Sequence, residues 1–364
     1  MPYPDEFEGF MITELGKYKD FKKQTFKPKV FGDNDIDIKI ECCGVCGSDV
    51  HTVTGGWGDA PTPLCVGHEV VGKAVKVGSK VKDVKVGDRV GVGAQIWSCL
   101  KCVQCKNDNE NYCPSQVDTY GAPYPKEADP NETLTQGGFS SHIRAHEYFV
   151  FPIPDAIPSH LAAPMLCAGL TVWSPLVRAG VGPGKKVAIV GLGGLGHFAV
   201  MWANALGAEV TVISHSPNKK DDALKLGAKH FVNSGDKDWA KPLAFTFDFV
   251  LNTADMTNKF DLSAYQSILK VGCQFHQVGL PDEPLQGVTP KIFMANGSSM
   301  GASHIGSRPE CLAMLKLAAE KKLFPMVETI PVSEKGCAEA IERVNKNDVR
   351  YRFTLVDYDK AFGS

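Results

Sequence analysis

The sequence predicts an α/β protein of two domains, a β-rich domain followed by an open, doubly wound parallel sheet. Three observations carry that expectation. The chain has 364 residues, more than one hydrophobic core usually supports. Its N-terminal part is rich in Gly and short β-branched runs. From Gly184 onward, short apolar runs alternate with helical stretches, the rhythm of strands joined by crossover helices.

The elements follow in chain order. The run VFGDNDIDIKIECCGVCG is strand-like, and Val75, Val77, Val81, Val84, Val86 and Val90 recur around Gly-Ser and Gly-Asp turns. Such alternation predicts short antiparallel strands in a compact, barrel-like β domain. Lys185–Val190 reads as a short strand, and a glycine-rich turn follows it. Leu195, Phe198, Ala199, Trp202 and Leu206 then share one helical face, and Gly207 ends that helix. Further strands are expected over 209–213, 229–232, 247–252, 273–278 and 298–302. The tail from Arg308 carries one helix, PECLAMLKLAAEKKL, and ends in a strand-like YRFTLV. Pattern alone leaves open whether it closes the second sheet or returns to the first domain.

Composition narrows the function. The chain is 43% hydrophobic and 22% charged, with a formal net charge of −2, an ordinary globular balance. Neutralising nucleic-acid phosphates needs a basic excess that this chain lacks. No apolar run reaches the ~18 residues of a membrane span, and the acidic start MPYPDEFEGF does not read as a secretory signal. A cytoplasmic protein with a small-molecule partner, and neither nucleic acid nor membrane, is expected.

The turn Gly191-Leu192-Gly193-Gly194-Leu195-Gly196 lies between a strand and a helix, where a dinucleotide fingerprint belongs. Its glycines permit a tight turn, a close approach to pyrophosphate and close helix–strand packing. The second strand ends in Ser214-His215-Ser216-Pro217-Asn218-Lys219, without an acid until Asp221. An NAD site places a carboxylate there, whereas hydroxyls and lysines suit an extra phosphate. Ser214, His215, Ser216 and Lys219 are therefore expected to select NADP(H).

The twelve cysteines call for metal or catalysis before disulfides in a reducing compartment. Cys99, Cys102, Cys105 and Cys113 suit a closed, all-thiolate zinc site. An iron–sulfur cluster is the rival, but its run wants three residues before the fourth cysteine, and this chain has seven. Cys46, His68 and Cys167 could together hold a catalytic zinc with one open position, although spacing alone does not tie Cys167 to Cys46. Cys42, Cys43, Cys65, Cys273, Cys311 and Cys337 are expected to be small buried hydrophobes.

The motifs CGVCGSDVH, GHEVVGKAVKVGSKVKDVKVGDRVGV, the four-cysteine lobe, CAGLT and GLGGLG occur in this order. Over nearly its whole length the chain resembles the zinc-dependent medium-chain alcohol dehydrogenases. The stretch after the second strand and GASHIGSRPE resemble the NADP-dependent cinnamyl alcohol dehydrogenase branch. The resemblance implies a GroES-like catalytic domain over 1–158, a Rossmann domain over 159–301 and a return to the first domain over 302–364. It implies two zinc ions per chain, the catalytic one on Cys46, His68 and Cys167 with Glu69 beside it, and a homodimer. Thr171, Val278, Gly279, Ser303 and Ile305 are implied to line the nicotinamide, and Arg352 is a candidate cofactor or interdomain contact. The segment YGAPYPKEADPNETLT over 120–135 departs from the pattern, being longer than the matching loop of many relatives. Phe139, Trp57 and Tyr120 are candidates for a substrate wall, with core packing favoured for Phe139.

The chemistry expected is hydride exchange between NADPH and medium-sized aliphatic, aromatic or cinnamyl-type aldehydes, with primary alcohols in reverse. Ser48, two residues past Cys46, is placed to pass a proton to the substrate oxygen, and His51 to carry it onward. An NAD-dependent polyol dehydrogenase and a non-catalytic binding protein of the same fold are the alternatives.

Overall fold

A computed structural model describes residues 4–254, 260–282, 285 and 288–363. It divides into two compact units, residues 1–167 with 307–364, and residues 168–306. The expected junctions at 158/159 and 301/302 lie short of these. The helix Ser159–Ala162 and the 3-10 turn Ala163–Leu166 pack on the strand Asp35–Val45. Thr354 also donates to the His160 carbonyl at 2.9 Å. These contacts keep the chain in the first unit through Cys167.

The first unit is built on a seven-stranded sheet. Its order is Val327–Pro331, Arg352–Val356, Asp35–Val45, Val70–Val77, Arg89–Val92 and Val150–Pro152, with His142–His146 also pairing Asp35–Val45. The C-terminal tail thus returns to the first unit, where Phe353 sits opposite Val45 and Leu355 opposite Cys43. Val81, Val84 and Val86 are not in a strand but in the connection between Val70–Val77 and Arg89–Val92. Val86 is exposed, so the alternation there has no sheet face to serve. Ile36, Ile38, Val45, Val70, Phe139 and Phe353 form part of one buried core, each contributing about 1.5–3 kcal/mol on burial.

The second unit is a six-stranded parallel sheet with the order His230–Asn233, Glu209–Ser214, Lys186–Val190, Phe247–Asn252, Leu269–Gln277 and Ser299–Ala302. In chain order that is 3-2-1-4-5-6, the doubly wound arrangement whose switch point lies beside the first strand. The helix Gly196–Ala205 was expected to bury one face. It buries all of Gly196–Ala203, because the helix Ala168–Arg178 covers its other side. Trp202 Nε1 donates across that contact to the Gly169 carbonyl at 3.1 Å. Among the described residues no single helix is long and apolar enough to cross a membrane.

Of the cysteines expected to be inert, Cys42, Cys43, Cys65, Cys311 and Cys337 are buried and Cys273 is half-exposed. Cys273 lies on the strand Leu269–Gln277 in a stretch whose side chains are partly open to solvent.

Candidate active site and metal centres

In the four-cysteine lobe, Cys102 and Cys105 sulfurs lie 3.5 Å apart, Cys99 and Cys113 3.5 Å, and Cys99 and Cys105 4.0 Å. Thiolates ~2.3 Å from one tetrahedral ion would stand ~3.8 Å apart. All four sulfurs lie within 4.8 Å of one another, which fits one ion and leaves no volume for the inorganic sulfides of a cluster. Local backbone prepares the thiolates. Cys105 N donates to Cys102 Sγ at 3.5 Å and Ser115 N to Cys113 Sγ at 3.4 Å. Backbone N–H groups of Lys101 and Cys102 bring the Cys99 thiol down to about 6. All twelve cysteines are free thiols.

The second constellation joins Cys46, His68, Glu69 and Cys167, whose ligand atoms lie within 4.8 Å of one another and whose side chains are all buried. Cys46 and Cys167 sulfurs stand 3.9 Å apart, again a tetrahedral edge for zinc. Cys46 ends the strand Asp35–Val45 and N-caps the helix Gly47–Thr54. Gly67 adopts φ +102°, and a Cβ there would stand 2.6 Å from the Phe139 ring. Phe139 is therefore core rather than substrate wall. Cys167 follows the 3-10 turn Ala163–Leu166.

Asp49 ties this centre together. Its Oδ2 accepts the Cys46 N–H at 2.8 Å and its Oδ1 the Gly67 N–H at 3.0 Å. Oδ1 also lies 3.7 Å from His68 Nδ1, the position from which a carboxylate orients a metal-binding imidazole. Burial disfavours the His68 charge, but Asp49 and Cys46 outweigh it and raise the imidazole to about 9. The Cys167 hydrogen bond pulls the Cys46 thiol well down while Cys167 is pushed up. Sequence reasoning missed Asp49. Its signal was an acid three residues past Cys46 at a helix start, a capping-box pattern.

Glu69 is buried and ion-paired to Arg352, itself buried. Burial raises the Glu69 carboxyl to about 7 against the Arg352 charge. Gly44 is required beside it, since a Cβ there would strike the Glu69 carboxylate. Arg352, a candidate cofactor or interdomain contact, has its guanidinium paired with Glu69 within the first unit. Ser48 Oγ lies 3.7 Å from Cys46 Sγ, and His51 is one turn along the same helix. The His51 ring stacks on Trp57 at 4.6 Å and 7°. Tyr120 stacks on His68 at 5.5 Å and 18°.

The long segment 120–135 folds back on itself. Gly121 N bonds Thr135 O at 3.0 Å and Tyr124 N bonds Thr133 O at 3.1 Å. Asp129 accepts from the backbone of Thr133 at 3.0 Å and of Val30 at 3.4 Å, which fastens the loop to the β unit.

In the second unit the glycine-rich turn has the predicted division of labour. Gly191 takes φ +85°. A Cβ at Gly193 would meet nothing within 4 Å, and one at Gly196 would strike the Gly191 carbonyl. The turn therefore leaves open space at Gly193 and close packing where helix meets strand. Gly194 and Leu195 complete it before the helix. Ser214 is buried at the end of its strand and accepts the Ser216 N–H at 3.2 Å. Lys219 Nζ bonds the Leu192 carbonyl at 2.8 Å, which holds a cation beside the turn. His215 is exposed. Val278 and Gly279 follow the strand Leu269–Gln277, and Ser303 and Ile305 follow Ser299–Ala302. These residues, with Ser214, share the C-terminal edge where doubly wound sheets bind ligands. Thr171 lies on the helix Ala168–Arg178. Ser303 Oγ is 2.9 Å from His276 Nε2.

Comparison with known proteins shows the family. The alcohol dehydrogenase GroES-like domain family matches residues 32–155, and the zinc-binding dehydrogenase family residues 194–320. The chain is 49% identical over 364 residues to NADP-dependent alcohol dehydrogenase 6 of Saccharomyces cerevisiae, covering 100% of this chain and 99% of that one. A cinnamyl alcohol dehydrogenase from Sorghum bicolor superposes with a TM-score of 0.89 at 38% identity, over 96% of this chain and 97% of that one. CAD from Helicobacter pylori, solved with NADP(H), superposes with a TM-score of 0.86 at 32% identity, over 96% and 98%. The chain belongs to the zinc-binding medium-chain alcohol dehydrogenases. Within them it is a member of the NADP-dependent cinnamyl alcohol dehydrogenase branch, and an oxidoreductase.

Proposed function

We propose that this enzyme acts mainly as an NADPH-dependent aldehyde reductase. Its substrates are medium-sized aliphatic, aromatic or cinnamyl-type aldehydes, with the primary alcohols as reverse substrates. The observation that carries the reading is the 3.9 Å approach of Cys46 and Cys167 sulfurs beside His68. Cys46, His68 and Cys167 would hold the catalytic zinc, and Cys99, Cys102, Cys105 and Cys113 the structural one. When bound, zinc supplies Lewis acidity toward a substrate oxygen and NADPH supplies the reducing equivalent.

The chain's own residues do the rest. Reduction consumes a proton at the substrate oxygen, and the Ser48 hydroxyl delivers it. His51, at i+3 on the same helix, returns that proton to Ser48 from solvent. Glu69, held by Arg352, keeps a carboxylate beside the metal cradle. Ser214, Ser216 and Lys219 take the 2′-phosphate, with His215 at the pocket rim. Thr171, Val278, Gly279, Ser303 and Ile305 flank the nicotinamide.

The working form is a cytoplasmic homodimer. Ser299–Ala302 is an edge strand, and Val271 and Met294 near it are 75% and 78% exposed, surface that a second copy would cover. NADPH oxidation with cinnamaldehyde and with hexanal, before and after chelation, tests the function. Turnover of either aldehyde that chelation abolishes and added zinc restores is expected. Turnover that survives complete loss of zinc contradicts it.

A further inference from the structure

Tyr120 opens the loop 120–135 and lies outside both metal-ligand sets. Its ring covers His68 nearly parallel, 18° from the imidazole plane with centroids 5.5 Å apart. Its hydroxyl lies beside the Asp49 carboxylate and the Thr52 hydroxyl. Asp49 and Thr52 both belong to the helix that Cys46 caps. Asp49 in turn accepts the Cys46 and Gly67 N–H groups at 2.8 and 3.0 Å and faces His68 Nδ1. One tyrosine therefore covers the imidazole ligand with its ring and sets its hydroxyl beside that ligand's orienting carboxylate.

The far end of the loop fixes this placement. Gly121 N and Ala122 N bond Thr135 O and Oγ1 at 3.0 Å each. The Asp129 carboxylate ties the loop tip to Thr133 and Val30. Tyr124 is buried beneath Lys29 at 5.5 Å.

We infer that Tyr120 is a positioning residue for the catalytic metal, its ring stacked on His68 and its hydroxyl set beside Asp49 together holding that imidazole in its ligating orientation. The 120–135 loop is then a strap over the metal's imidazole ligand. The inference rests on the zinc reading of the Cys46, His68 and Cys167 site. Outer partners of a metal ligand affect metal affinity by about 10–100-fold.

The chain carries its own control, because the four-cysteine lobe holds its ion with thiolates alone and has no imidazole for a ring to cover. The zinc-loaded enzyme is mixed with a chromogenic chelator, and release is followed as two phases. Loss of activity tracks the catalytic-site phase. For Tyr120→Phe, which keeps the ring, the catalytic phase is expected to speed up about tenfold with the lobe phase unchanged. Thr52→Val is expected to move it the same way by less. Tyr120→Leu, which also removes the stack, is expected to exceed Tyr120→Phe. Wild-type release in both Tyr120 variants overturns the inference, as does equal acceleration of the two phases, which would mean general loosening. A wild type that holds only the lobe zinc would overturn the metal reading itself.

Discussion

Arg352 and Glu69 form an ion pair whose side chains are 5% and 0% exposed, although 283 residues separate them in the sequence. The pair closes the floor of the catalytic cradle, where Glu69 adjoins His68 and Arg352 stands on the strand Arg352–Val356. A buried charge pair adds little net stability, but removing one partner strands the other.

Arg352→Met is accordingly expected to lower unfolding stability by about 3–5 kcal/mol. Arg352→Met with Glu69→Gln is expected to recover part of that loss. Urea midpoints on the zinc-loaded proteins measure both. A single variant as stable as wild type would mean that the pair is solvated.

Coenzyme choice rests on the absence of a carboxylate at the end of Glu209–Ser214. Ser214→Asp places a negative charge where the 2′-phosphate is expected. Its kcat/KM for NADPH is expected to fall at least tenfold, about 1.4 kcal/mol, while that for NADH rises. Comparing kcat/KM for the two coenzymes decides it, and a wild type that already favours NADH would contradict the assignment.

Ser48→Ala removes the proposed proton donor while leaving every proposed zinc ligand in place, although the hydroxyl lies 3.7 Å from Cys46 Sγ. Ser48→Ala is expected to lose about 10²-fold or more in kcat with NADPH affinity nearly unchanged. Single-turnover rates and coenzyme titration separate the two. Wild-type single-turnover rates would take Ser48 out of the relay.

His276 gives a pH dependence of stability away from the metals. Burial lowers its imidazole to about 4, below the ~6.5 of an unfolded chain. Between those values the unfolded state binds the additional proton, so folding stability rises with pH through this window. It is present in full above about 6.5 and is lost as pH falls toward about 4. Urea midpoints at pH 7 and pH 5 are expected to differ more for wild type than for His276→Gln. Equal differences would show that His276 titrates normally.

The sites were legible where chemistry is local. Cys99, Cys102, Cys105 and Cys113 span fifteen residues, and the Gly191–Gly196 turn lies between its own strand and helix, so spacing alone reported both. Cys167 joined Cys46 only through family resemblance, because a sequence separation of 121 carries no periodic link. The Arg352–Glu69 pair was not legible because an arginine in a short terminal strand shows no partner until that strand is paired with Asp35–Val45. Asp49 and Tyr120 were hidden for a related reason. Their significance is a set of hydrogen bonds and a ring contact that exist only after Gly67, Cys46 and the long loop are folded together. The Val81–Val86 alternation misled in the opposite sense, since its period had no sheet face behind it.

Anomalous scattering at the zinc edge, from crystals of the enzyme with NADP, tests the central claim most directly. Two peaks per chain are expected, one within the four-cysteine lobe and one among Cys46, His68 and Cys167. A single peak in the lobe, with the other three side chains enclosing no metal, would contradict the assignment of this fold to zinc-assisted aldehyde reduction.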